Sequence, residues 1–355
     1  MVKRILLILA GVIVGMILVF TIKFNQFYQK IYIPKPLAKP QEKTSYNILF
    51  LGYGGPGHDG PYLTDTMMVI HIDVKKNRAL LISIPRDIWV KLKTKSGQDF
   101  HAKINTLYEM GLFPKDFPDV DQTKFTNSNQ TGLTSSAVAG ITGLPIDYYV
   151  GIDFSGFVKA VDILGGVDID IDNSFEDKQY PLEGHDKDLC GKQESDLPEL
   201  EKIATQSPEL AFPCRYETIK FDAGQQHMNG EIALKYVRSR HSVQDGGDFG
   251  RVRRQQLFLE AVKEKVLSIG FIPKIIPLLD ELKDHITTDT PFDITQKFAS
   301  EIKDVSHYKV DHLVLSDEKY IVETRSDDGQ DVLIPKIGMD QWDKVKLWIK
   351  NTITR

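Results

Sequence analysis

Arginine is concentrated in one stretch of the chain, "YVRSRHSVQDGGDFGRVRRQQ" from Tyr236 to Gln256. Arg238 and Arg240 leave an apolar helical run. Where the chain extends beyond such a run, residues two apart point the same way. Arg251, Arg254 and Gln255 follow at i, i+3 and i+4, the spacing that puts side chains on one helix face. Guanidiniums packed this densely repel one another unless an anion joins them, and arginine is suited to bidentate contacts with phosphate. The stretch therefore reads as an anion site. Asp248 falls at the start of the second helix, where its plain role is an N-cap.

A polyanion held this way needs further balance. In "FLGYGGPGHDGPYLTDTMMVIHID", Phe50 to Asp73, a hydrophobic strand stops in a glycine-rich loop, and Asp65 stands between Thr64 and Thr66 at the mouth of the next strand. A carboxylate there is a hard oxygen ligand for Mg²⁺, which takes one or two carboxylates together with phosphate oxygens. Metal and guanidiniums around one phosphate form a phosphoryl-transfer arrangement. The loop is no Walker motif, because no Gly-Lys-Ser/Thr follows, and a plain turn is its other reading. In "SIPRDIWV", Arg86 and Asp87 follow a buried strand at the end where ligands bind in α/β sheets. Taken alone, that pair reads first as a surface ion pair.

The elements that must position these groups alternate along the chain. "YNILFLG", "DTMMVIHID", "ALLISIP" and "DYYVGID" are strand-like, whereas "KINTLYEMG", "TGLTSSAVAGITG", "FSGFVKAVDILGG", "NGEIALKYVRSR" and "RVRRQQLFLEAVKEKVLS" have helical character. "VDIDID" alternates as a half-exposed strand does. Residues 173–221 are polar and proline-containing, and read as an irregular inserted loop. After Pro273 two helices, a short strand pair ("HLVLS" and "DVLIPK") and an amphipathic final helix are expected. Strands mixed with helices throughout imply an α/β or α+β sandwich.

The N-terminus has a different character. Residues 5–22 are uncharged, about enough to span a bilayer, and Lys3 and Arg4 precede them. The positive-inside rule leaves residues 1–4 cytoplasmic and exports the remainder. Residues 23–45, rich in proline and lysine towards their end, read as a spacer. The net charge of −5 speaks against nucleic acid as the partner. The only cysteines, Cys190 and Cys214, suit a disulfide outside the cell, with unpaired thiols as the alternative. Such a bond would contribute about 3 kcal/mol.

Together "LTDTMM", "SIPRDIWV", "KINTLYEMG", "GLPIDYYVGIDFSGFVKAVDILGGVDIDI", "GQQHMNGEIALKYVRSRH" and "DFGRVRRQQ" resemble, in that order, the LytR–CpsA–Psr family of cell-wall glycopolymer phosphotransferases. The resemblance covers Tyr46 to Ser268. It implies an α/β/α sandwich with a central mixed sheet over residues 46–270, a groove for a prenyl chain, and residues 271–355 completing the domain or appended to it. It also implies transfer of a glycopolymer from a polyprenyl-pyrophosphate carrier to peptidoglycan or another wall acceptor, at the outer face of the membrane. Arg86, Arg238, Arg240, Arg251, Arg254 and Gln255 would surround the pyrophosphate. Asp65 would hold Mg²⁺, with Mn²⁺ as a substitute, and Asp248 could orient or deprotonate the acceptor hydroxyl.

The chain departs from the family pattern in one loop. Gly54 stands where the family has its second metal-binding aspartate, and Leu63 where it has an arginine. Asp59 is the expected replacement carboxylate. His58 is less suited, because Mg²⁺ prefers oxygen. Two other functions fit the same residues: a hydrolase of lipid pyrophosphates, and a prenyl-pyrophosphate-binding or regulatory protein without turnover.

Overall fold

The computed structural model describes residues 2–34, 43–122, 130–204, 207–244, 246–301, 308–315 and 320–354. For residues 2–14, 16, 17, 248, 249, 269, 272 and 299–301 it describes the backbone only. Helix α1 (Val2–Ile31) leads to strands β1 (Ser45–Tyr53), β2 (Thr64–Asp73) and β3 (Arg78–Ser83), then to a hairpin of β4 (Trp89–Lys93) and β5 (Asp99–Lys103). Helices α2 (Leu107–Leu112) and α3 (Gly132–Thr142), strand β6 (Tyr148–Asp153) and helix α4 (Phe154–Leu164) follow. Next come β7 (Val167–Ile171), β8 (Phe175–Pro181), α5 (Leu197–Ala204), α6 (Pro208–Ala211), β9 (Tyr216–Phe221) and β10 (Gly224–Met228). Helices α7 (Gly230–Arg238), α8 (Gly247–Leu267) and α9 (Ile275–Leu282) precede β11 (Ile286–Thr288) and α10 (Phe292–Glu301). The chain closes with β12 (Lys309–Val314), β13 (Ile321–Arg325), β14 (Asp331–Pro335) and α11 (Asp343–Thr354).

The central sheet has six strands in the order β11-β6-β1-β2-β3-β12. It is mixed, as expected: β1–β6 and β3–β12 run parallel, and β1–β2, β2–β3 and β6–β11 antiparallel. Successive side chains of a strand face opposite ways, and this alternation builds two different layers. Leu49, Leu51, Val69 and Ile82 enter a core with Leu133 and Val138 of α3 and Val345 and Ile349 of α11. Each such side chain contributes about 1.5–3 kcal/mol on burial. The intervening Phe50, Met68, Ile70 and Leu81 look the other way, towards α4 and α8. Helices thus cover both faces of the sheet.

Several expectations are corrected. Residues 23–31, assigned to a spacer, continue α1 and pack on the domain. Lys23 Nζ donates to Asp280 Oδ2 at 2.9 Å, and Tyr28 Oη donates to the Thr290 carbonyl at 3.0 Å. Phe24 packs tilted and Tyr28 edge-on against Phe292, because their four-residue spacing puts them on one helix face. Residues 35–42 of the spacer lie outside the described residues. Among the described residues no helix is long and apolar enough to cross a membrane. Most side chains of the 5–22 run are not among them. The segment 173–221 is not irregular: it starts and ends in the antiparallel pair β8–β9, with α5 and α6 between. "HLVLS" and "DVLIPK" do not pair with each other. β12 completes the central sheet beside β3, and β14 pairs with β13.

Candidate active site

The arginine stretch is aimed by the ends of two helices. Asn229 caps α7 by accepting from the Ile232 N–H at 2.9 Å, and the helix ends at Arg238. Ser239 then takes up an extended backbone, φ −52° and ψ 136°, so Arg238 and Arg240 reach the same space. Asp177 on β8 fixes that turn. Its Oδ2 accepts from Ser239 Oγ (2.7 Å) and from the Arg240 and His241 N–H groups (both 3.0 Å).

A cavity of about 100 Å³ opens there, lined by Asp65, Arg86, Arg238, Arg240, Arg251 and Gln255 among others. Arg86 Nη1 donates to Asp65 Oδ1 at 2.6 Å. Burial alone would raise the Asp65 carboxyl, but the guanidiniums of Arg86, Arg238 and Arg251 outweigh it and hold it below the ordinary carboxylate range. Asp87 is held low in the same way, with burial opposed by Lys103, Arg86 and Arg240. Its carboxylate takes Lys103 Nζ at 2.9 Å and Arg240 Nη2 at 3.3 Å. Arg238 lies over the Phe154 ring at 4.2 Å and donates to Glu183 Oε1 at 2.9 Å and Tyr180 Oη at 3.2 Å.

The sequence brings most of its candidates together here, with exceptions. Arg254, expected beside Arg251, is 1% exposed and does not line this cavity. Its guanidinium lies 4.7 Å from the Phe175 ring centroid and donates to the Ser239 carbonyl at 2.6 Å. Helical spacing alone treats Arg251 and Arg254 alike, whereas the packing of β8 against α8 separates them. The side chain of Asp248 lies outside the described residues. Asp177, Tyr180 and Glu183 were missed because they fall in the segment read as a loop. The available signal was Phe175 and Asp177 at strand spacing, both buried.

The metal can be tested on its donors. Asp65 supplies one ionised carboxylate facing the cavity. Asp59 lines an adjoining cavity with Asp65, and its Oδ2 accepts from the Gly184 N–H at 3.1 Å. A Cβ at Gly54 would come within 2.9 Å of the His58 Cβ, so the loop as folded has no room for an aspartate there. Asp65 plus substrate phosphate oxygens satisfies the minimal demand of Mg²⁺, so the residues fit the ion.

A second, apolar cavity of about 290 Å³ runs between the sheet and helices α4 and α8, walled by Phe50, Met68, Ile70, Phe157, Phe258 and Val262. Thr66, Val237, Arg238 and Gln255 line both cavities, so the greasy channel ends at the arginines. Gln255 Nε2 donates to Thr66 Oγ1 at 3.2 Å across the junction. Cys190 and Cys214 form a disulfide with Cα atoms 5.4 Å apart. Among the described residues the one three-group metal-compatible cluster is Asp188 with these cysteines, whose sulfurs are committed to the bond.

Comparison with known proteins bears on the family and the fold. The model of the LytR_cpsA_psr family matches residues 19–338. "Polyisoprenyl-teichoic acid--peptidoglycan teichoic acid transferase TagV" of Bacillus subtilis (strain 168) is 29% identical over 251 residues, covering 70% of this chain and 50% of its own length. "Cell wall biosynthesis protein LcpA" of Corynebacterium glutamicum is 27% identical over 282 residues, 76% of this chain and 45% of its own. The chain thus spans about half the length of these curated relatives. In fold, the crystal structure of B. subtilis TagV superposes with a TM-score of 0.56 at 23% identity, covering 88% of this chain and 99% of that one. TagT bound to LI-WTA superposes with a TM-score of 0.54 at 18% identity, covering 90% and 95%.

Proposed function

Because the chain belongs to the LytR–CpsA–Psr family, we propose that it is a phosphotransferase moving a glycopolymer from a polyprenyl-pyrophosphate carrier to peptidoglycan. The observation that carries this reading is the junction of the two cavities. An apolar channel that ends among Arg86, Arg238, Arg240 and Arg251 is complementary to a molecule with a hydrocarbon tail and a pyrophosphate head. Curated relatives are named as teichoic acid transferases acting on peptidoglycan, in keeping with that donor and acceptor.

The chain's own residues would divide the work. The prenyl chain buries in the channel, and Gln255 and Thr66 mark its polar end. Arg86, Arg238, Arg240 and Arg251 bind the phosphate oxygens. Their charge stabilises the lipid phosphate as it leaves, a type of term worth about 10²–10³-fold per donor. Asp65 would hold Mg²⁺, which when bound neutralises charge on the phosphates. An acceptor hydroxyl forms the new O–P bond as the anhydride bond breaks, releasing polyprenyl phosphate. The same reading makes residues 5–22 a membrane anchor, with the domain outside the cell.

The second reading, a lipid-pyrophosphate-binding protein without turnover, is favoured by one observation: Gly54 has no carboxylate and Asp59 is turned to the Gly184 N–H. One experiment separates the two. The full chain in vesicles receives a polyprenyl-pyrophosphate glycan and peptidoglycan, with and without Mg²⁺. Mg²⁺-dependent attachment of glycan supports the transferase. Tight donor binding with no product supports the second reading, and phosphate release without attachment supports a hydrolase.

A further inference from the structure

A third cavity, about 280 Å³, shares Asp65, Arg86 and Arg238 with the phosphate site and is also lined by Asp59, Asp186 and Arg215. Arg215 had no assigned role in the sequence, and several ties hold it. Its carbonyl accepts from the Leu182 N–H at 2.8 Å, its Nε donates to the Asp188 carbonyl at 2.7 Å, and its guanidinium covers the Phe212 ring at 3.7 Å. The preceding residue is Cys214, bonded to Cys190, whose own N–H donates to Asp188 Oδ1 at 2.8 Å. The disulfide therefore closes the segment from which Arg215 reaches the cavity. Glu183 Oε1 accepts from Arg238 at 2.9 Å, and its Oε2 lies 3.1 Å from His58 Nδ1 of the glycine-rich loop.

The lining of this cavity is mixed in charge: Arg86, Arg215 and Arg238 share it with Asp59, Asp65, Glu183 and Asp186. An all-cationic wall would suit more phosphate. Acceptors interleaved with a fixed five-donor fork suit a group with many hydroxyls, which donates to carboxylates and accepts from guanidinium. Leu63, which also lines the cavity, offers no hydrogen bond, and Arg215 is the cation that the insert adds to it.

We propose that the disulfide-tied insert is a glycan clamp, in which Arg215, faced by Asp59 and Asp186, grips the first saccharide of the donor. The Cys190–Cys214 bond keeps Arg215 in place. This inference rests on the transferase reading's donor and adds the subsite and its redox requirement.

The test measures Kd for two probes on the full chain in detergent micelles: polyprenyl pyrophosphate alone, and the same lipid carrying a disaccharide. Losing a charged hydrogen-bond donor should raise Kd for the glycan-bearing probe about tenfold in Arg215→Ala. Kd for the bare probe stays within about twofold, which also reports that the protein is folded. Arg215→Lys falls between. The double variant C190S/C214S, and wild type treated with dithiothreitol, reproduce the Arg215→Ala pattern. If wild type binds both probes and the variants do not distinguish them, the clamp is wrong and the transferase reading stands. If wild type binds neither probe, both are overturned.

Discussion

Asp177→Asn is the most informative single change, because one carboxylate holds the turn that aims two arginines. The residue is 1% exposed. Its Oδ2 accepts from Ser239 Oγ, the Arg240 N–H and the His241 N–H at 2.7–3.0 Å, and its Oδ1 accepts from the Gln179 N–H at 2.9 Å. A hydrogen bond to a charged group contributes about 1.5–3 kcal/mol, against about 1 kcal/mol for a neutral one. Removing the charge therefore costs about 1 kcal/mol for each of these bonds, roughly 4 kcal/mol in all, a large share of a typical domain's stability. The new amide would also point a donor at an N–H. Burial would raise the Asp177 carboxyl, yet Ser239 and the three backbone donors hold it below its ordinary value. Its stabilising effect is thus complete above the unfolded carboxyl value of about 3.9 and is lost as pH falls through the lower folded value. Urea unfolding of wild type and variant should show the full difference at pH 7, narrowing below about pH 4. A difference under about 1 kcal/mol at pH 7, or one that does not change down to pH 3, would refute the reasoning.

Other changes separate the neighbouring roles. Arg254→Met should lower stability by about 2 kcal/mol, because the buried Ser239 carbonyl loses its charged donor, whereas Arg251→Gln should lower donor affinity more than about tenfold; unfolding and binding curves on both variants check the contrast. Val262→Glu puts a carboxylate in the apolar channel. Long-chain donor binding should fall by more than about a hundredfold while a short soluble pyrophosphate analogue binds as before, since burying an unpaired charge costs several kcal/mol. Asp65→Ala should reduce Mg²⁺-dependent turnover about 10²–10³-fold. The same variant should bind polyprenyl pyrophosphate more tightly without Mg²⁺, because Arg86, Arg238 and Arg251 lose the carboxylate that neutralises them. Isothermal titration in the presence and absence of the ion measures both sides of that prediction.

The sequence by itself determined the local geometry. Short apolar runs rich in Ile, Leu and Val specified the strands β1, β2, β3 and β6, because a strand covered on both faces reads as a near-continuous hydrophobic run. Helical spacing placed Arg251 and Gln255 on one face, and the mouth of a strand placed Asp65 where a ligand could meet it. The irregular look of residues 173–221 hid β8 and β9, since two short strands joined by a long polar connection carry little periodic signal. Residues 23–31 looked like spacer for a related reason: what makes them part of the domain is Phe292 and Asp280, far away in the chain.

Only the tertiary structure decided which charges share a space. Nothing local separates Arg251 from Arg254, and nothing local brings Arg215 to the cavity that holds Arg86 and Arg238. The meeting of an apolar channel with an arginine cluster is likewise a property of sheet, α4 and α8 stacked together. Helix and strand periodicities are set by a residue's near neighbours, whereas burial and electrostatic environment depend on groups a hundred or more positions apart. Against burial, Asp65 is held below the ordinary carboxylate range by nearby Arg86 and by Arg238 and Arg251, which the fold brings to it from a distant part of the chain.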